Sequence, residues 1–326
     1  MAEAGIEQDL LIGVDLGGTK ILAGVFDAKL NLLGSYKMST KPQRGPEGVV
    51  ERIARCIEDA VDECDLDMAR VKAIGVGAPG SVDSEKGLVL FAPNLEWKDF
   101  PLVERLQRLV EVPVLLENDC SISMMGVYEV ELKSKPRSVV GIFVGTGIGG
   151  GLIINGELYR GATRCAGELG HMVVDINGPK CGCGNRGCLE ALASRTALFR
   201  RIRQAVKEGQ TTLLSEMLGR DLEDMRSGDL RKAIKRGDKF VERVVEEASE
   251  FIGIAVGNIA NILGPEVIIL GGGVMEALAE EILPTVQKIA RDHAMPGALK
   301  GVTIVASSLA DHAGITGGAV LARRVP

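Results

Sequence analysis

The strongest constraint in this chain is a plan that it uses twice. An apolar run, Leu10 to Val14, enters the turn Asp15-Leu16-Gly17-Gly18-Thr19-Lys20 and continues as Ile21 to Phe26, after which come a loop at Asp27 to Asn31 and the run Leu32 to Tyr36. Far downstream, Ser138 to Val144 enters Gly145-Thr146-Gly147-Ile148-Gly149-Gly150-Gly151, continues as Leu152 to Ile154 and reverses at Asn155-Gly156, a dipeptide suited to a type I′ hairpin turn. Each half is a strand, a glycine-rich turn, a strand and a reverse turn. This internal duplication predicts two similar α/β lobes facing each other. At 326 residues the chain also exceeds what one hydrophobic core usually supports, which agrees with two lobes around a cleft.

Between and after the two units, apolar spacing alternates between helix and strand. Val49, Val50, Ile53, Ile57, Ala60 and Val61 mark a helix over 46–64, and Val71 to Val76 is a strand ending at Gly77-Ala78-Pro79-Gly80. After a helix at 101–110, the buried strand Val112 to Leu116 delivers Glu117-Asn118-Asp119 to a helix expected over 120–132. Further helices are expected at 189–207 and 240–263, the second stopped by Gly264-Pro265. A strand at 266–270 then leads into Gly271-Gly272-Gly273, and a strand at 304–306 and a helix at 315–323 end the pattern. With no long linker in view, short hinges near Asp119 and His312 are expected to join the lobes.

Composition removes several classes of function. Hydrophobic residues make up 46% and charged residues 25%, a balance that suits a soluble α/β enzyme, and the 42 glycines read as a chain rich in tight turns. A net charge of −6 gives no general attraction for phosphate backbones or anionic lipid, so neither nucleic acid nor a membrane surface is an expected partner. The stretch Met1 to Asp9 carries Glu3, Glu7 and Asp9 with no basic or apolar run, so no signal peptide is expected. Apolar runs elsewhere stop well short of the roughly 20 residues that span a bilayer. Seven cysteines, three of them within the eight residues 181–188, favour metal chemistry in a reducing compartment over disulfides. The cytoplasm is the expected location.

The chemistry begins with the glycine turns. Phosphates can be held by inward-pointing backbone N–H groups where side chains would block the approach. Three such turns, Gly17 to Thr19, Gly145 to Gly151 and Gly271 to Gly273, each follow an apolar strand, and together they favour a nucleotide cleft over plain turn chemistry. Gly145-x-Gly147-x-x-Gly150 also fits a dinucleotide fingerprint, but that fingerprint needs a helix next, whereas Leu152 to Gly156 continues as a hairpin. No P-loop pattern occurs. Asp15, beside its turn, is placed to hold Mg2+ on the β- and γ-phosphates, and only its neighbours tip the balance against a turn-capping acid. Asp119 reads locally as a helix N-cap; a helix N-terminus also keeps a carboxylate ionised, which suits a group that accepts a hydroxyl proton.

The segment Gly167-Glu168-Leu169-Gly170-His171, followed by Cys181-Gly182-Cys183-Gly184-Asn185-Arg186-Gly187-Cys188-Leu189-Glu190, carries the most specific signal. Three thiols separated by glycines suit a tetrahedral zinc site, with His171 as the natural fourth ligand beside Cys181, Cys183 and Cys188. Four protein ligands leave no position for a catalytic water, so the site reads as structural, fixing a loop that presents Glu168 and Glu190 to sugar hydroxyls.

These motifs resemble the ROK group (repressors, unclassified open reading frames and kinases) of the actin-like ATPase and sugar-kinase superfamily, and the resemblance covers essentially the whole chain. Asp15-Leu16-Gly17-Gly18-Thr19-Lys20 resembles the first phosphate motif, with Asp15, Gly17, Gly18, Thr19 and Lys20 as its contacts. Gly145, Thr146 and Gly147 match the second, and Gly271, Gly272 and Gly273 the adenosine motif. The resemblance implies that Asp119 is the catalytic base for a sugar 6-hydroxyl and that Gly80, Asn94, Asn118, Glu168, His171 and Glu190 contact the sugar. It further implies an actin-like (ribonuclease H-like) fold. Residues 1–118 with 312–326 would form a smaller lobe, and residues 119–311 a larger one carrying the zinc loop. Ala92-Pro93-Asn94-Leu95-x-Trp97 is most similar to the bacterial glucokinase branch, and Cys120-Ser121 departs from the usual alanine and asparagine.

The function expected from all this is ATP-dependent phosphorylation of glucose, with ATP, Mg2+ and structural zinc as cofactors, in a homodimer or homotetramer. A sugar-responsive repressor of the same group would need a DNA-binding region ahead of the core, and only 14 residues precede Asp15, so that reading is disfavoured. Fructose, mannose, N-acetylglucosamine or N-acetylmannosamine as acceptor, and polyphosphate as donor, remain open from sequence.

Overall fold

Alternation along the strands decides which face each side chain takes, and in this molecule the two faces have different jobs. The computed structural model describes residues 9–219 and 221–326; most of the acidic N-terminal stretch, with the signal-peptide reading that rests on it, lies outside the described residues. In the first half, β1 (Leu10–Leu16), β2 (Lys20–Phe26) and β3 (Leu32–Ser39) form an antiparallel meander, and α1 (Gly45–Asp62) leads to β4 (Val71–Ala78). A separate three-stranded sheet follows, made of β5 (Ser81–Asp83), β6 (Leu88–Ala92) and β7 (Trp97–Phe100); then α2 (Leu102–Val110) precedes β8 (Val114–Asn118). The first large sheet has the order β3-β2-β1-β4-β8, with β1, β4 and β8 parallel.

The second half opens with α3 (Asp119–Gly126) and a second meander, β9 (Ser138–Val144), β10 (Ile148–Ile154) and β11 (Glu157–Leu158). The helices α4 (Leu189–Ala193), α5 (Arg195–Lys207), α6 (Leu213–Leu218), α7 (Ser227–Lys235) and α8 (Lys239–Leu263) come next. The chain ends with β12 (Val267–Gly271), α9 (Gly273–His293), β13 (Thr303–Ala306) and α10 (Ala313–Ala322). The order β11-β10-β9-β12-β13 repeats the first sheet position for position, as the duplicated sequence plan requires. At the hairpin, Asn155 (φ 57°) and Gly156 (φ 86°) both adopt the positive φ that a type I′ turn demands.

Leu10, Ile12, Val14 and Leu16 of β1 share a core with α1 and α2, whereas Leu11, Gly13 and Asp15 turn to the opposite face, against α10. In β9, Val140, Ile142 and Val144 join α8 and α9 in the larger core, while Val139 and Phe143 face α3. The pair α3 and α10 therefore forms a middle layer between the two sheets. Here backbone packs on backbone. A Cβ on Gly13 would lie 1.7 Å from the Ile315 carbonyl oxygen, one on Gly75 2.1 Å from that of Gly318, and one on Gly317 1.7 Å from that of Ile122. Interiors packed this densely have no room to yield even one methyl group without moving an element.

Three elements differ from the sequence expectation. The helix expected over 120–132 starts at Asp119 and passes into a π-helical turn at Val127–Glu131. The helix expected over 189–207 is interrupted at Ser194, whose extended backbone (φ −69°, ψ 161°) ends α4 and whose hydroxyl accepts from Ala197 N–H to start α5. Gly149, Gly150 and Gly151 belong to β10, not to the turn before it, and a Cβ on Gly151 would meet Met124 Cβ at 2.4 Å. Among the described residues no helix is long and apolar enough to cross a membrane.

The middle layer makes a direct prediction. Gly317→Ala should destabilise the protein by about 1–3 kcal/mol or more, the usual range for overpacking, whereas Gly228→Ala, in α7 with nothing within 4 Å of its Cβ, should be neutral or slightly stabilising. Denaturant titration of the two variants beside wild type measures both effects, and equal midpoints for the pair would contradict the packing argument.

Candidate active site

Parallel strands end at a common edge, and in α/β sheets ligands collect beyond the carboxyl ends of such strands. Registers β1 to β4 and β4 to β8 align Asp15 with Gly77, Gly77 with Glu117, and Ala78 with Asn118, which brings Asp15 and the Asn118-Asp119 pair to one edge. In the second sheet, β9 runs into Gly145 and β12 ends at Gly271. Gly80, just past β4, has φ 83°, and a Cβ there would lie 2.1 Å from the Phe91 carbonyl oxygen, so only glycine fits. Asn118 Nδ2 donates to Gly80 O and to Asp119 Oδ1, each at 3.0 Å. Asn118 Oδ1 in turn accepts from the N–H groups of Cys120 and Ser121, also at 3.0 Å. The cap of α3 is therefore Asn118. Asp119, read from sequence as an N-cap, is the first helical residue, with Oδ1 accepting from Cys120 N–H at 2.8 Å.

Electrostatics distinguish the carboxylates. Burial, then the charge of Asp15, pushes Asp119 up to about 7; Glu168 adds to the rise and hydrogen bonds from Cys120 oppose it. Burial likewise raises Asp15 to about 6, opposed by Lys20 and Lys37 and assisted by Asp311. Asp15 and Glu168 thus lie near enough to Asp119 for their charges to act on it, and Glu168 is exposed. Lys20 Nζ reaches Asp311 Oδ2 at 2.5 Å and Lys37 Nζ reaches the same oxygen at 3.6 Å, tying the first glycine turn to the start of α10.

Each turn is braced differently. In the first, Gly17 N–H donates to Lys20 O at 2.8 Å, and the buried Thr40 binds it twice, its hydroxyl donating to Gly17 O at 2.7 Å and its N–H to Thr19 O at 3.0 Å. Thr19 is exposed, and Gly18 lies against Asn94, whose Cβ would be 3.1 Å from a Cβ on the glycine. Asn94 is itself exposed on a 3-10 turn, Pro93–Leu95, next to the fully buried Trp97. In the second turn, Gly145 N–H donates to Gly147 O at 2.9 Å, and Glu190 Oε2 accepts from Ile148 N–H at 3.0 Å in space that a Cβ on Gly147 would fill. Arg195 N–H donates to Gly145 O at 3.0 Å and the Thr196 hydroxyl to Thr146 O at 2.7 Å. At the third, Gly271 ends β12, Gly272 (φ 88°) caps α9, and Gly273 faces open space. Sequence reasoning missed Thr40, Arg195, Thr196 and Asp311. The one available signal was Ser194, a residue type that caps helices and so marks a new N-terminus.

The cysteine loop forms a cluster beside the second turn. His171 Nδ1 lies 3.6 Å from Cys181 Sγ, Cys183 Sγ lies 3.7 Å from Cys188 Sγ, and the four ligand atoms are all within 4.8 Å of one another. A zinc tetrahedron with Zn–S bonds of about 2.3 Å has edges of roughly 3.8 Å between sulfurs, so the donor set fits that ion. Burial, then the neighbouring thiols, pushes Cys188 up to about 12, so a cation is what would let these thiols ionise together. This loop also approaches Glu190 and the second turn: Cys181 Sγ is 3.9 Å from Glu190 Oε1, and a Cβ on Gly170 would lie 1.9 Å from the Ile148 carbonyl oxygen.

The ROK family model matches residues 11–325. The chain is 36% identical to a glucokinase from Thermotoga maritima over 312 residues, covering 95% of this chain and 96% of that protein. It is 35% identical to a glucokinase from Streptomyces coelicolor, covering 96% of this chain and 98% of that protein. A crystal structure of a ROK family glucokinase from Streptomyces griseus in complex with glucose and AMPPNP superposes with a TM-score of 0.85 at 34% identity, covering 97% of this chain and 99% of that one.

Asp119 also predicts a pH dependence. Its folded-state value of about 7 lies above the ordinary 3.8, so the folded protein holds a proton that the unfolded chain has released, and stability falls as pH rises from about 4 to about 7. Asp119→Asn removes this dependence. Relative to wild type, the variant should gain on the order of 2 kcal/mol of unfolding free energy at pH 8 compared with pH 5, measured without ligand or Mg2+. An identical difference between the two proteins at both pH values would contradict the burial argument.

Proposed function

The chain belongs to the ROK family, and on that premise we propose that it is a glucokinase, transferring the γ-phosphoryl group of ATP to the 6-hydroxyl of glucose. One observation carries this reading: a half-buried carboxylate, Asp119, raised to about 7 at the edge where the strands end and the glycine turns begin. A base with a value near the working pH can both accept and release a proton.

In the proposed reaction the sugar O6–H proton passes to the Asp119 carboxylate as the O6–P bond forms and the bond from phosphorus to the ADP oxygen breaks. Little covalent work falls to the protein, so positioning and charge neutralisation supply the rate. Asn118 orients Asp119 through its 3.0 Å hydrogen bond, and Gly80, Asn94, Glu168, His171 and Glu190 are the further proposed sugar contacts. Gly17, Gly18, Thr19 and Lys20 would hold phosphates from one side and Gly145, Thr146 and Gly147 from the other, with Gly271, Gly272 and Gly273 at the adenosine. Asp15 suits Mg2+, held through water, and the ion when bound neutralises charge on the β- and γ-phosphates. His171, Cys181, Cys183 and Cys188 would hold zinc as a closed structural site, with His171 Nε2 directed to the sugar because Nδ1 faces Cys181.

The proposed lobes are residues 1–118 with 312–326 and residues 119–311, and the packing of α10 on β1 and β4 supports assigning the last helix to the first of them. The chain crosses between lobes next to Asp119, so closure on sugar would move the base together with its substrate and expel water. A cytoplasmic homodimer or homotetramer acting on small molecules completes the proposal.

Coupled assays of ADP formation against glucose, fructose, mannose, N-acetylglucosamine and N-acetylmannosamine, with polyphosphate as alternative donor, test the substrate. Glucose with ATP should give the highest kcat/KM, and Asp119→Asn should lower kcat by about 10² to 10⁴ while remaining folded. Preference for another pair of substrates, or near-native turnover of the variant, would refute the reading. For zinc, metal analysis of purified protein should find close to one ion per chain, and Cys183→Ser should lower both metal content and melting temperature. A metal-free wild type of unchanged stability would sink the site.

A further inference from the structure

An ion pair between a half-exposed arginine and a buried carboxylate joins the two halves near Asp119 and takes no part in the roles above. Glu117, two residues before Asp119, is 2% exposed. Its Oε1 accepts from Asn118 N–H at 3.0 Å and from Ser84 Oγ at 3.2 Å, while Oε2 accepts from Arg160 Nε at 2.8 Å and Arg160 Nη2 at 2.6 Å. Four donors therefore saturate one carboxylate. Arg160 comes from the other half of the chain, just after β11 and eight residues before Glu168, and its carbonyl accepts from Ala166 N–H at 3.1 Å. The same loop is fastened again where Arg164 pairs with Asp83 and Glu85.

We propose that Arg160 is a positioning residue for phosphoryl transfer: paired with Glu117, it sets the relation between Asp119 and the loop that bears Glu168. The inference rests on the glucokinase reading. Glu117 Oε1 pins the N–H of Asn118 in an extended conformation (φ −63°, ψ 146°), and from that conformation Asn118 caps α3 and donates to Asp119. Arg160 thus acts on the base through a chain of three directional contacts while its own backbone anchors the Glu168 loop. A guanidinium is suited to the task because its planar fork fixes direction as well as charge, which an ammonium does not. Removing it would leave a buried carboxylate without its cation, and the strand end that carries Asn118 would relax toward water. A displacement of the base by about 1 Å is enough to cost on the order of 10²-fold in rate.

Steady-state kinetics with glucose and ATP on wild type, Arg160→Met, Arg160→Lys and Arg70→Ala test the proposal, the last removing an ion pair with Asp9 far from the crevice. Arg160→Met should lose about 10²-fold in kcat with glucose KM changed less than about threefold, and Arg160→Lys should recover part of that loss but stay about tenfold or more below wild type. Arg70→Ala should match wild type. Unchanged kcat in either Arg160 variant, or a loss confined to KM, overturns the positioning role. If Arg160→Met fails to fold, the lysine variant decides alone. An inactive wild type would overturn the glucokinase reading itself, whereas an active wild type with unimpaired variants overturns only the positioning role.

Discussion

The arrangement depends on two helices packed at backbone distance between two sheets. With Gly13 and Gly75 on the first sheet, Gly317 and Gly318 on α10, and Gly126 on α3, main chain meets main chain between the first sheet and α10 and again between α10 and α3, and at these points no side chain spaces the layers apart. Close approach makes the middle layer thin. A thin middle layer is what lets the carboxyl ends of β1, β4 and β8 on one side and of β9 and β12 on the other open onto a common crevice. It also sets individual positions: Gly314 at the start of α10 lies against Asp15, with a Cβ there 3.1 Å from the aspartate Cβ, and α3 begins at Asp119. Bulkier residues in this layer would push the two carboxylates apart along with the elements that carry them.

Bringing the carboxylates together has an electrostatic consequence. Asp119 is raised first by burial and then by Asp15, so each occupied charge makes the other harder to maintain. Without a cation the crevice favours a proton on one of them. A divalent ion held at Asp15 would weaken that preference, since it would offset the repulsion from Asp15 and leave burial as the main cause of the rise. In the proposed kinase, nucleotide with its metal would therefore prepare the base before chemistry, by a field effect and with no movement of the side chain required.

Much of this was legible in the sequence, and the rest was hidden for definable reasons. The duplicated strand and turn plan gave the two matching sheets, and the Cys181 to Cys188 spacing with His171 gave the donor cluster, because both are local patterns whose geometry follows from chain order. The glycines misled. A composition of 42 glycines reads as turns, yet Gly13, Gly75, Gly141, Gly149 and Gly151 lie inside strands, where the reason for glycine is a helix from elsewhere in the chain. Capping at α3 was assigned one residue late, since Asn118 and Asp119 are both good caps and only the hydrogen bonds to Cys120 and Ser121 separate them. The braces Thr40, Arg195 and Asp311, and the pair Glu117 with Arg160, join residues between 21 and 291 positions apart, for which no periodicity exists to be read.

In the proposed kinase, the cysteine loop would influence the reaction without supplying catalytic atoms. Ile148, the residue after the second glycine turn, is bounded on two sides: its N–H donates to Glu190 Oε2, and Gly170 packs closely on its carbonyl. Both contacts belong to the segments that the metal donors join, Gly170 being next to His171 and Glu190 lying 3.9 Å from Cys181. An ion bridging His171 to the three cysteines would lock those segments relative to each other and so hold Ile148, and with it Gly147, in one position. Loss of the ion would leave Glu190 and the 3-10 turn at Leu169–His171 free to move separately. The second glycine turn would then keep its sequence and lose its shape, which in the proposed kinase would make the metal site and the grip on nucleotide parts of one mechanical unit.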